Sequence, residues 1–385
     1  MKSNSTSLVE LAGLFLKLGI TAFGGPAAHI AMMENEVVHR RHWISREEFL
    51  DLLGATNLIP GPNSTEMAIH IGHRRAGWAG LLVAGSCFIF PAALIVGILS
   101  WAYVHFGRLP QAEGVLYGIK PVVLAIVLQA IWRLARSALK TRLLMMAGIA
   151  ASVVSFLGAN ELVLLFSTGI FIAAFKSMLS RKSAGAPGLL PALWLGIPTA
   201  GATTATGVAT SFGLWPMFLI FAKVGSVLFG SGYVLLAFLR ADLVDRLHWL
   251  TEGQLLDAIA IGQITPGPVF TTATFIGYIL SGAPGALIAT AGIFLPAFFF
   301  VAISGPLVPR LRRSQTAGAF LDGVNAASLA LMAVVTAQLA RTAFVDYGAI
   351  AIGIAAAAIL FRYNLNTAWL VLGGTIAGIV IHRFL

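Results

Sequence analysis

The chain contains an internal duplication, which constrains its fold more than any other feature. Residues of very different chemistry recur at a constant separation of 206 positions: Lys17 and Lys223, Phe23 and Phe229, Trp43 and Trp249, Asp51 and Asp257, and Pro60-Gly61-Pro62 and Pro266-Gly267-Pro268. Further along the chain the match continues at a separation of 205, because Gly77 corresponds to Gly282. We therefore predict two homologous halves, residues 1–180 and 214–385, joined by a linker at 181–213.

The composition predicts that the chain lies in a lipid bilayer. Hydrophobic residues make up 58% of its 385 residues and charged residues only 10%, whereas soluble domains carry about 25% charge. The net charge of +10 comes from short basic clusters between apolar runs, a pattern typical of the cytoplasmic ends of membrane spans. This pattern argues against a nucleic-acid partner. We predict an all-α polytopic membrane protein.

Each half contains about five apolar stretches, and most of them reach the roughly 20 residues needed to cross a bilayer, although the one at 143–158 is short. In the first half we predict spans near 8–31, 77–104, 112–132, 143–158 and 161–179. In the second half we predict spans near 215–238, 280–306, 315–339, 343–360 and 365–382. A long repeat in an apolar chain is typical of secondary transporters, in which the substrate binds where the halves meet.

Two further apolar segments, 47–73 and 253–278, are interrupted by Pro-Gly-Pro. Proline removes a backbone donor and clashes with the preceding helical turn, so each segment must form two half-helices. The half-helices either enter the membrane and return, which leaves ten spans, or cross it, which gives thirteen spans if the linker also crosses. The distribution of Lys and Arg fits both arrangements equally well. In both arrangements the halves form an inverted repeat.

The interrupted segments also predict an anion-binding site. The first turn of a helix leaves N–H groups unpaired and carries a partial positive charge, so two half-helix starts that meet would enclose an anion. The predicted substrate-binding residues are Asn57, Pro60, Gly61, Pro62, Asn63 and Ser64 in the first half, and Gln263, Thr265, Pro266, Gly267 and Pro268 in the second. The alternative is a kink that serves packing alone.

A repeated lysine lies in the first predicted span of each half. A charge as deep in a bilayer as Lys17 and Lys223 is costly, and the two together would compensate a doubly charged substrate. The alternative is that each side chain extends toward the membrane interface. The turns that follow would bring backbone close to a ligand or allow close helix packing. The predicted substrate-binding residues in these turns are Phe23, Gly24, Gly25, Phe229, Gly230 and Ser231.

Three carboxylates in the apolar region are candidates for a proton or charge relay. Asp51 and Asp257 are repeated, and each would equally stabilise a nearby helix start. The third, Glu66, has a spacing to His70 and His73 that could hold a metal. The positions 206 residues later are Thr272, Ile276 and Ile279. We therefore predict no metal site. Hydrolase and metalloprotease motifs are absent from the sequence, so we predict neither an enzyme nor a cofactor.

Taken together, the motifs resemble those of the chromate ion transporter family. The resemblance rests on Phe23-Gly24-Gly25-Pro26, Trp43-Ile44-Ser45, the two Pro-Gly-Pro segments and Phe294-Leu295-Pro296. It covers nearly the whole chain, except the linker and the extreme N-terminus. One departure is Ser231, which stands where such proteins often have the second of three consecutive glycines, so the role of Ser231 stays open.

The resemblance implies a multi-pass exporter of chromate in the bacterial inner membrane, with chromate resistance as the consequence and sulfate as the competitor. It also implies the long form of the family, in which two domains are fused. We expect secondary transport by alternating access, since the sequence contains no ATP-binding motif. The alternative is uptake or exchange of sulfate, molybdate or another small anion. A homodimer is common among such carriers, although no residue here argues for one.

Overall fold

The computed structural model describes residues 7–107, 110–183, 212–229, 232–363 and 367–384, and every regular element in these ranges is helical. The helices of the first half are α1 (Leu8–Thr21), α2 (Gly25–Glu34), α3 (Arg46–Thr56), α4 (Asn63–Phe106), α5 (Pro110–Ala138), α6 (Arg142–Phe156) and α7 (Glu161–Ser183). Those of the second half are α8 (Leu214–Val227), α9 (Leu235–Leu239), α10 (Glu252–Ile264), α11 (Thr272–Arg313), α12 (Gln315–Ala343), α13 (Tyr347–Arg362) and α14 (Thr367–Phe384). Nearly all of the predicted linker lies outside the described residues.

Five helical segments in the described part of the chain are long and apolar enough to cross a membrane. They are Asn63–Phe106, Glu113–Ala138, Glu161–Leu179, Val269–Ser304 and Gln315–Ala343. Four shorter apolar helical segments accompany them: Arg142–Phe156, Leu214–Val227, Tyr347–Arg362 and Thr367–Ile381. The predicted all-helical membrane protein is thereby confirmed, although the helices do not follow the predicted spans everywhere.

The 44-residue helix α4 is folded into two arms by a sharp bend. Ala76 and Gly77 have non-helical backbone angles, and Gly77 has a φ of 59°. A Cβ atom on Gly72 would lie 2.2 Å from the carbonyl oxygen of Gly80, although eight residues of straight helix would separate them by about 12 Å. The two arms therefore pack against each other. In the second half, α11 bends in the same way at Ser281 and Gly282.

The prediction of a single span at 8–31 is wrong. Helix α1 ends at Thr21, Gly24 adopts a left-handed conformation with a φ of 102°, and α2 begins at Gly25. The chain then returns along α1, because Arg41 Nη1 lies 2.9 Å from Glu10 Oε1. The span predicted at 215–238 is likewise interrupted, since α8 ends at Val227. The turns after Thr21 and Val227 end these helices after 14 residues, short of the roughly 20 residues that a span needs. Hydrophobicity alone does not reveal such stops.

The first Pro-Gly-Pro segment enters the protein and returns to its starting side. Helix α3 begins at Arg46, and the first arm of α4 ends just before the bend. The two outer ends meet, because Arg74 forms an ion pair with Glu48. The neighbouring Arg75 donates a 2.8 Å hydrogen bond to the Trp43 carbonyl oxygen. The two half-helices of this segment therefore lie side by side.

The halves pack through reciprocal contacts. Helix α5 of the first half packs on α13 and α14 of the second, and α12 of the second packs on α6 and α7 of the first. A Cβ atom on Gly118 would lie 1.9 Å from the Gly374 carbonyl oxygen, and one on the equivalent Gly323 would lie 2.9 Å from the Gly169 Cα atom. Such close backbone approach through small residues is typical of membrane helices.

Candidate functional site

The Pro-Gly-Pro turn of each half contacts the turn that follows the first helix of the other half. The Gly61 N–H donates a 2.8 Å hydrogen bond to the carbonyl oxygen of Leu228. In the equivalent contact, the Gly267 N–H donates a 2.9 Å hydrogen bond to the carbonyl oxygen of Ala22. The tip of each Pro-Gly-Pro turn is therefore bound to the place where the first helix of the opposite half stops. We call these four turns the crossing.

Glycine is required at the crossing for steric reasons. Gly61 has a φ of 140° and Gly267 a φ of 88°, values that residues with a side chain rarely adopt. A Cβ atom on Gly267 would also lie 2.7 Å from the Ala92 Cβ atom and 3.1 Å from the Gly19 carbonyl oxygen. Both glycines are predicted substrate-binding residues, and the structure gives each of them a packing role.

A cavity of about 440 Å³ opens onto the crossing. Four of the predicted site residues line it: Gly24, Asn57, Asn63 and Phe229. The Asn63 Nδ2 atom donates a 2.9 Å hydrogen bond to Asn57 Oδ1, which links the first turn of α4 to the end of α3. The cavity therefore reaches the start of the half-helix that follows the first Pro-Gly-Pro.

Other polar side chains in the cavity were missed by the sequence analysis. They lie on α5 and α12 and include Gln129, Arg133, Asn325 and Ser328. Gln129 donates a 2.7 Å hydrogen bond to the Leu360 carbonyl oxygen, whereas the Ser328 hydroxyl is buried without a hydrogen-bond partner among the described residues. Arg133 is exposed at the cavity and has no ion-pair partner in the described part of the chain. The sequence signal was available, because each interrupts an apolar run.

A second cavity, of about 420 Å³, occupies the related place in the other half. Its lining includes Leu331 and Gln338, which correspond by the separation of 205 to Ile126 and Arg133 of the first cavity. None of the described residues of the crossing turns lines it. The first cavity reaches the crossing and the second does not.

The two repeated lysines do not line either cavity, and each is paired with a carboxylate. Lys17 Nζ lies 3.0 Å from Glu36 Oε1, and Lys223 Nζ lies 2.5 Å from Asp242 Oδ2. These carboxylates are themselves a repeated pair, separated by 206 residues. The sequence analysis missed them although the same register reveals them. Their contacts hold the returning segment of each half against its first helix.

Arginines complete these ion pairs unequally. Arg40 Nη1 lies 3.2 Å from Glu36 Oε1, and Arg41 Nε lies 3.4 Å from Glu36 Oε2. In the second half Arg246 Nη2 lies 2.9 Å from Asp242 Oδ1, and Leu247 stands where the first half has Arg41. Glu36 therefore has one more cationic neighbour than Asp242.

Glu66 lies in the first turn of α4 with its side chain fully buried. Neither carboxylate oxygen has a hydrogen-bond partner in the residues that the structure describes, and the same holds for Thr65 Oγ1 and His70 Nε2. In the second half, Thr271 and Thr272 occupy the corresponding turn, and both hydroxyls donate to backbone carbonyl oxygens. The second half therefore has no counterpart of the buried Glu66 carboxylate at this position.

The two predicted relay aspartates have different surroundings. Asp257 is 4% exposed; its Oδ1 atom lies 3.0 Å from Lys120 Nζ, and its Oδ2 atom accepts a 2.9 Å hydrogen bond from Tyr103. Its counterpart Asp51 lies on the exposed side of α3. The sequence analysis missed Lys120 and Tyr103, because neither is repeated.

The remaining predicted residues are distributed around the crossing. The hydroxyl of Thr265 donates a 2.5 Å hydrogen bond to the Ile261 carbonyl oxygen. Ser64 Oγ lies 3.3 Å from His29 Nδ1, and Gln263 Nε2 is buried without a partner among the described residues. Gly230 and Ser231 lie outside the described residues. Residues that belong to the turns themselves are Phe23, Gly25, Pro60, Pro62, Pro266 and Pro268.

Comparisons with known proteins support the motif resemblance. The family described as chromate transporter matches residues 9–175 and 215–379. A chromate transport protein of Cupriavidus metallidurans is 30% identical over 391 residues, covering 98% of this chain and 94% of the relative. A chromate transport protein of Pseudomonas aeruginosa is 32% identical over 388 residues, covering 97% of this chain and 92% of the relative.

A probable chromate transport protein of Synechococcus elongatus is 30% identical over 356 residues, covering 91% of this chain and 89% of the relative. No solved structure matches the chain. The family match covers most of both halves, and the identity extends over nearly the full length of the relatives. The chain is therefore a member of the chromate transporter family.

Proposed function

We propose that the protein exports chromate from the bacterial cytoplasm across the inner membrane by alternating access, and so confers chromate resistance. The observation that carries the proposal is the polar cavity that leads to the crossing of the half-helix turns. Export of a dianion along an inside-negative potential of 100 mV is favourable by about 4.6 kcal/mol. The potential alone can therefore drive outward transport.

The cavity offers the groups that an oxyanion needs. Asn57 and Asn63 present amide groups at the start of α4, where the helix dipole favours an anion. Arg133 supplies a positive charge, and its guanidinium can donate two parallel hydrogen bonds to an oxyanion. The prediction that Lys17 and Lys223 neutralise the dianion requires a conformation in which they leave Glu36 and Asp242.

Two contacts favour an inverted arrangement of the halves. The outer ends of the re-entrant segment of the first half meet beside the α4 bend, through Arg74 and Glu48. Tyr103 lies 26 residues beyond Gly77, about 39 Å further along the same arm. It contacts Asp257, near the start of the corresponding segment of the second half. The two re-entrant segments therefore start at opposite ends of this arm.

Alternating access is supported by the inequality of the two cavities. The two cavities occupy related positions in the two halves, yet the described residues of the crossing turns line only the first cavity. We propose that this conformation is open to the site from one side of the membrane. The opposite conformation would then exchange the roles of the two cavities, as an inverted repeat allows.

We assign Glu66 as the residue that carries a proton during the transport cycle. Its carboxyl group is fully buried and has no partner among the described residues, and an unpaired charge is costly to bury. It lies beside the crossing, because a Cβ atom on Gly61 would meet Glu66 Oε1 at 2.3 Å. Movement of the turn would therefore change the surroundings of the carboxyl group.

The test is uptake of radiolabelled chromate into energised everted membrane vesicles. We expect accumulation by the parent protein, and inhibition by excess sulfate. Glu66→Gln should lower the dependence of uptake on the pH gradient, whereas Glu47→Gln, on the exposed surface of α3, should behave as the parent. Accumulation of sulfate or molybdate without chromate would replace the proposed substrate. An unchanged pH dependence in Glu66→Gln would remove Glu66 from the mechanism.

A further inference from the structure

Lys120 and Asp257 form an ion pair, and neither residue lines the cavity that reaches the crossing. Lys120 is ten residues into α5, and the separation of 205 makes Asn325 its equivalent in α12. Asn325 lines the cavity that reaches the crossing. If the two halves exchanged their conformations, Lys120 would therefore line the corresponding cavity on the other side of the membrane.

The fold itself does not require this ion pair. The ion pair and the Tyr103 hydrogen bond to Asp257 involve three residues. Of these, only Asp257 has a counterpart of the same type in the other half, Asp51. Lys120 is replaced by Asn325 in the second half, and Tyr103 is replaced by Val308. Both halves nevertheless form equivalent helices. The ion pair is therefore an addition to one side of a fold that forms without it on the other.

The contact between the two charges is one that a competing anion could replace. Lys120 Nζ lies 3.0 Å from Asp257 Oδ1, but the geometry is not that of an aligned hydrogen bond, and Oδ1 has no other partner among the described residues. The lysine side chain is 22% exposed and the aspartate side chain 6% exposed. A lysine carries three donors, so Lys120 can bind another oxyanion in place of the carboxylate.

We propose that Lys120 is the anion-binding residue of the substrate route that is closed in this conformation. Asp257 binds the Lys120 ammonium group until a proton neutralises the Asp257 carboxylate. A substrate oxyanion then takes the place of Asp257. The inference rests on the proposed transport of an anion and adds a coupling site to it. Without the proton, the entering dianion would meet a buried carboxylate of the same sign at close range, which opposes binding. One proton is therefore taken up for each anion bound at this site.

Other charged groups near Asp257 are already paired. Lys120 faces it from α5 and the Tyr103 hydroxyl faces it from α4. At the start of its own helix, Glu252 accepts a 2.6 Å hydrogen bond from Arg240 and another 2.6 Å hydrogen bond from Thr342 of α12. Arg341, the residue before Thr342, adds a further positive charge near Glu252. Asp257 is thus the carboxylate whose protonation would release Lys120.

The direction of the pH effect follows from this competition. Protonation of Asp257 removes the competitor, so anion binding should strengthen as pH falls. Asp257→Asn should bind the anion tightly at every pH, because the amide does not compete for the lysine charge. Lys120→Asn should weaken binding by about tenfold or more, the usual loss for a charged hydrogen bond.

The experiment measures chromate and sulfate binding to the purified full-length protein in detergent, by isothermal titration calorimetry at about pH 8 and about pH 6. The variants are Asp257→Asn, Lys120→Asn and the double variant. The double variant leaves no unpaired charge, so it protects the test against a folding failure of Lys120→Asn. The matched control is Lys176→Gln, which breaks a 2.8 Å ion pair with Asp322. Both of these side chains are more than 40% exposed.

The inference is supported if Asp257→Asn abolishes the pH dependence and the double variant binds weakly at both pH values. It is overturned if the double variant binds as tightly as the parent, or if Asp257→Asn keeps the parent's pH dependence. Failure of the proposed function gives a different result. If Lys120-dependent binding occurs with sulfate alone, and vesicles do not accumulate chromate, then the substrate assignment is wrong and the coupling site stands.

Discussion

The two halves of the molecule have the same sequence of helices, but different chemistry. Both have a lysine paired with a carboxylate on the returning segment, a glycine at the tip of the Pro-Gly-Pro turn and a bend in the long helix. The first half alone contributes the buried Glu66 and the cavity arginine Arg133, and the lysine that pairs with Asp257 corresponds to Asn325 in the other half. Repeated polar residues therefore stabilise the shared fold, whereas unrepeated ones distinguish the two sides of the transporter.

This difference changes the interpretation of the repeat. The repeat predicts function at the repeated polar positions, with Lys17 and Lys223 as the leading examples. In the structure each already has a carboxylate partner. A duplicated fold must keep the contacts that form each half, so duplication preserves structural residues at least as well as binding residues. A carrier with two sides needs some residues that differ.

The largest expected effect breaks what the halves share. Gly267→Ala places a Cβ atom 2.7 Å from the Ala92 Cβ atom at a φ of 88°, so we expect a loss of about 1–3 kcal/mol from backbone strain, with further loss from the clash. Thermal unfolding in detergent measures it. Gly13→Ala is the control, because no atom lies within 4 Å of the added Cβ atom. Equal stability of the two variants would contradict the steric role of the crossing.

The next effect tests whether the repeated lysines are equivalent. Lys223→Met should destabilise more than Lys17→Met, because Asp242 keeps only Arg246 among the described ion pairs while Glu36 keeps Arg40 and Arg41. We expect about 1–3 kcal/mol for the first and less for the second.

The lysine variants are compared by thermal unfolding with Lys223→Arg and Lys17→Arg, which keep the charge. If both Met variants are as stable as the parent but chromate transport is lost, the lysines bind substrate, as the sequence predicted. If stability falls in the expected order, the carboxylate pairs are structural.

The smallest effect makes the two halves more alike. Arg133→Gln gives the first half the residue that the second half has at Gln338. We expect chromate uptake to weaken by about tenfold, which corresponds to about 1.4 kcal/mol, with little change in stability because Arg133 is exposed. Initial uptake rates in vesicles over a range of chromate concentrations measure the effect. An unchanged apparent affinity would exclude Arg133 from the substrate route.

Several features of the site could be predicted from the sequence. The Pro-Gly-Pro turns, Asn57 and Phe229 were identified from the repeat, and Asn63 from the predicted half-helix start. All belong to the crossing or its cavity. Lys120, Tyr103 and Arg133 could not be selected in this way. Each is a single residue in a different helix, and its importance depends on a partner or a cavity formed by distant parts of the chain.

The sequence by itself determined the membrane class, the duplication and the two Pro-Gly-Pro interruptions. Hydrophobic content requires burial in lipid, and the steric limits of proline and glycine act locally, within a few residues. These properties are therefore readable without knowledge of the fold.

The tertiary structure decided which half-helices return, which turns cross and which charges meet. The start of α1 meets the segment that follows α2 through Glu10 and Arg41, and Tyr103 reaches Asp257, 154 residues away in the chain. Hydrophobicity does not distinguish a helix that crosses from one that turns back, because both bury the same apolar surface. Long-range contacts make that distinction, and they exist only once the chain has folded.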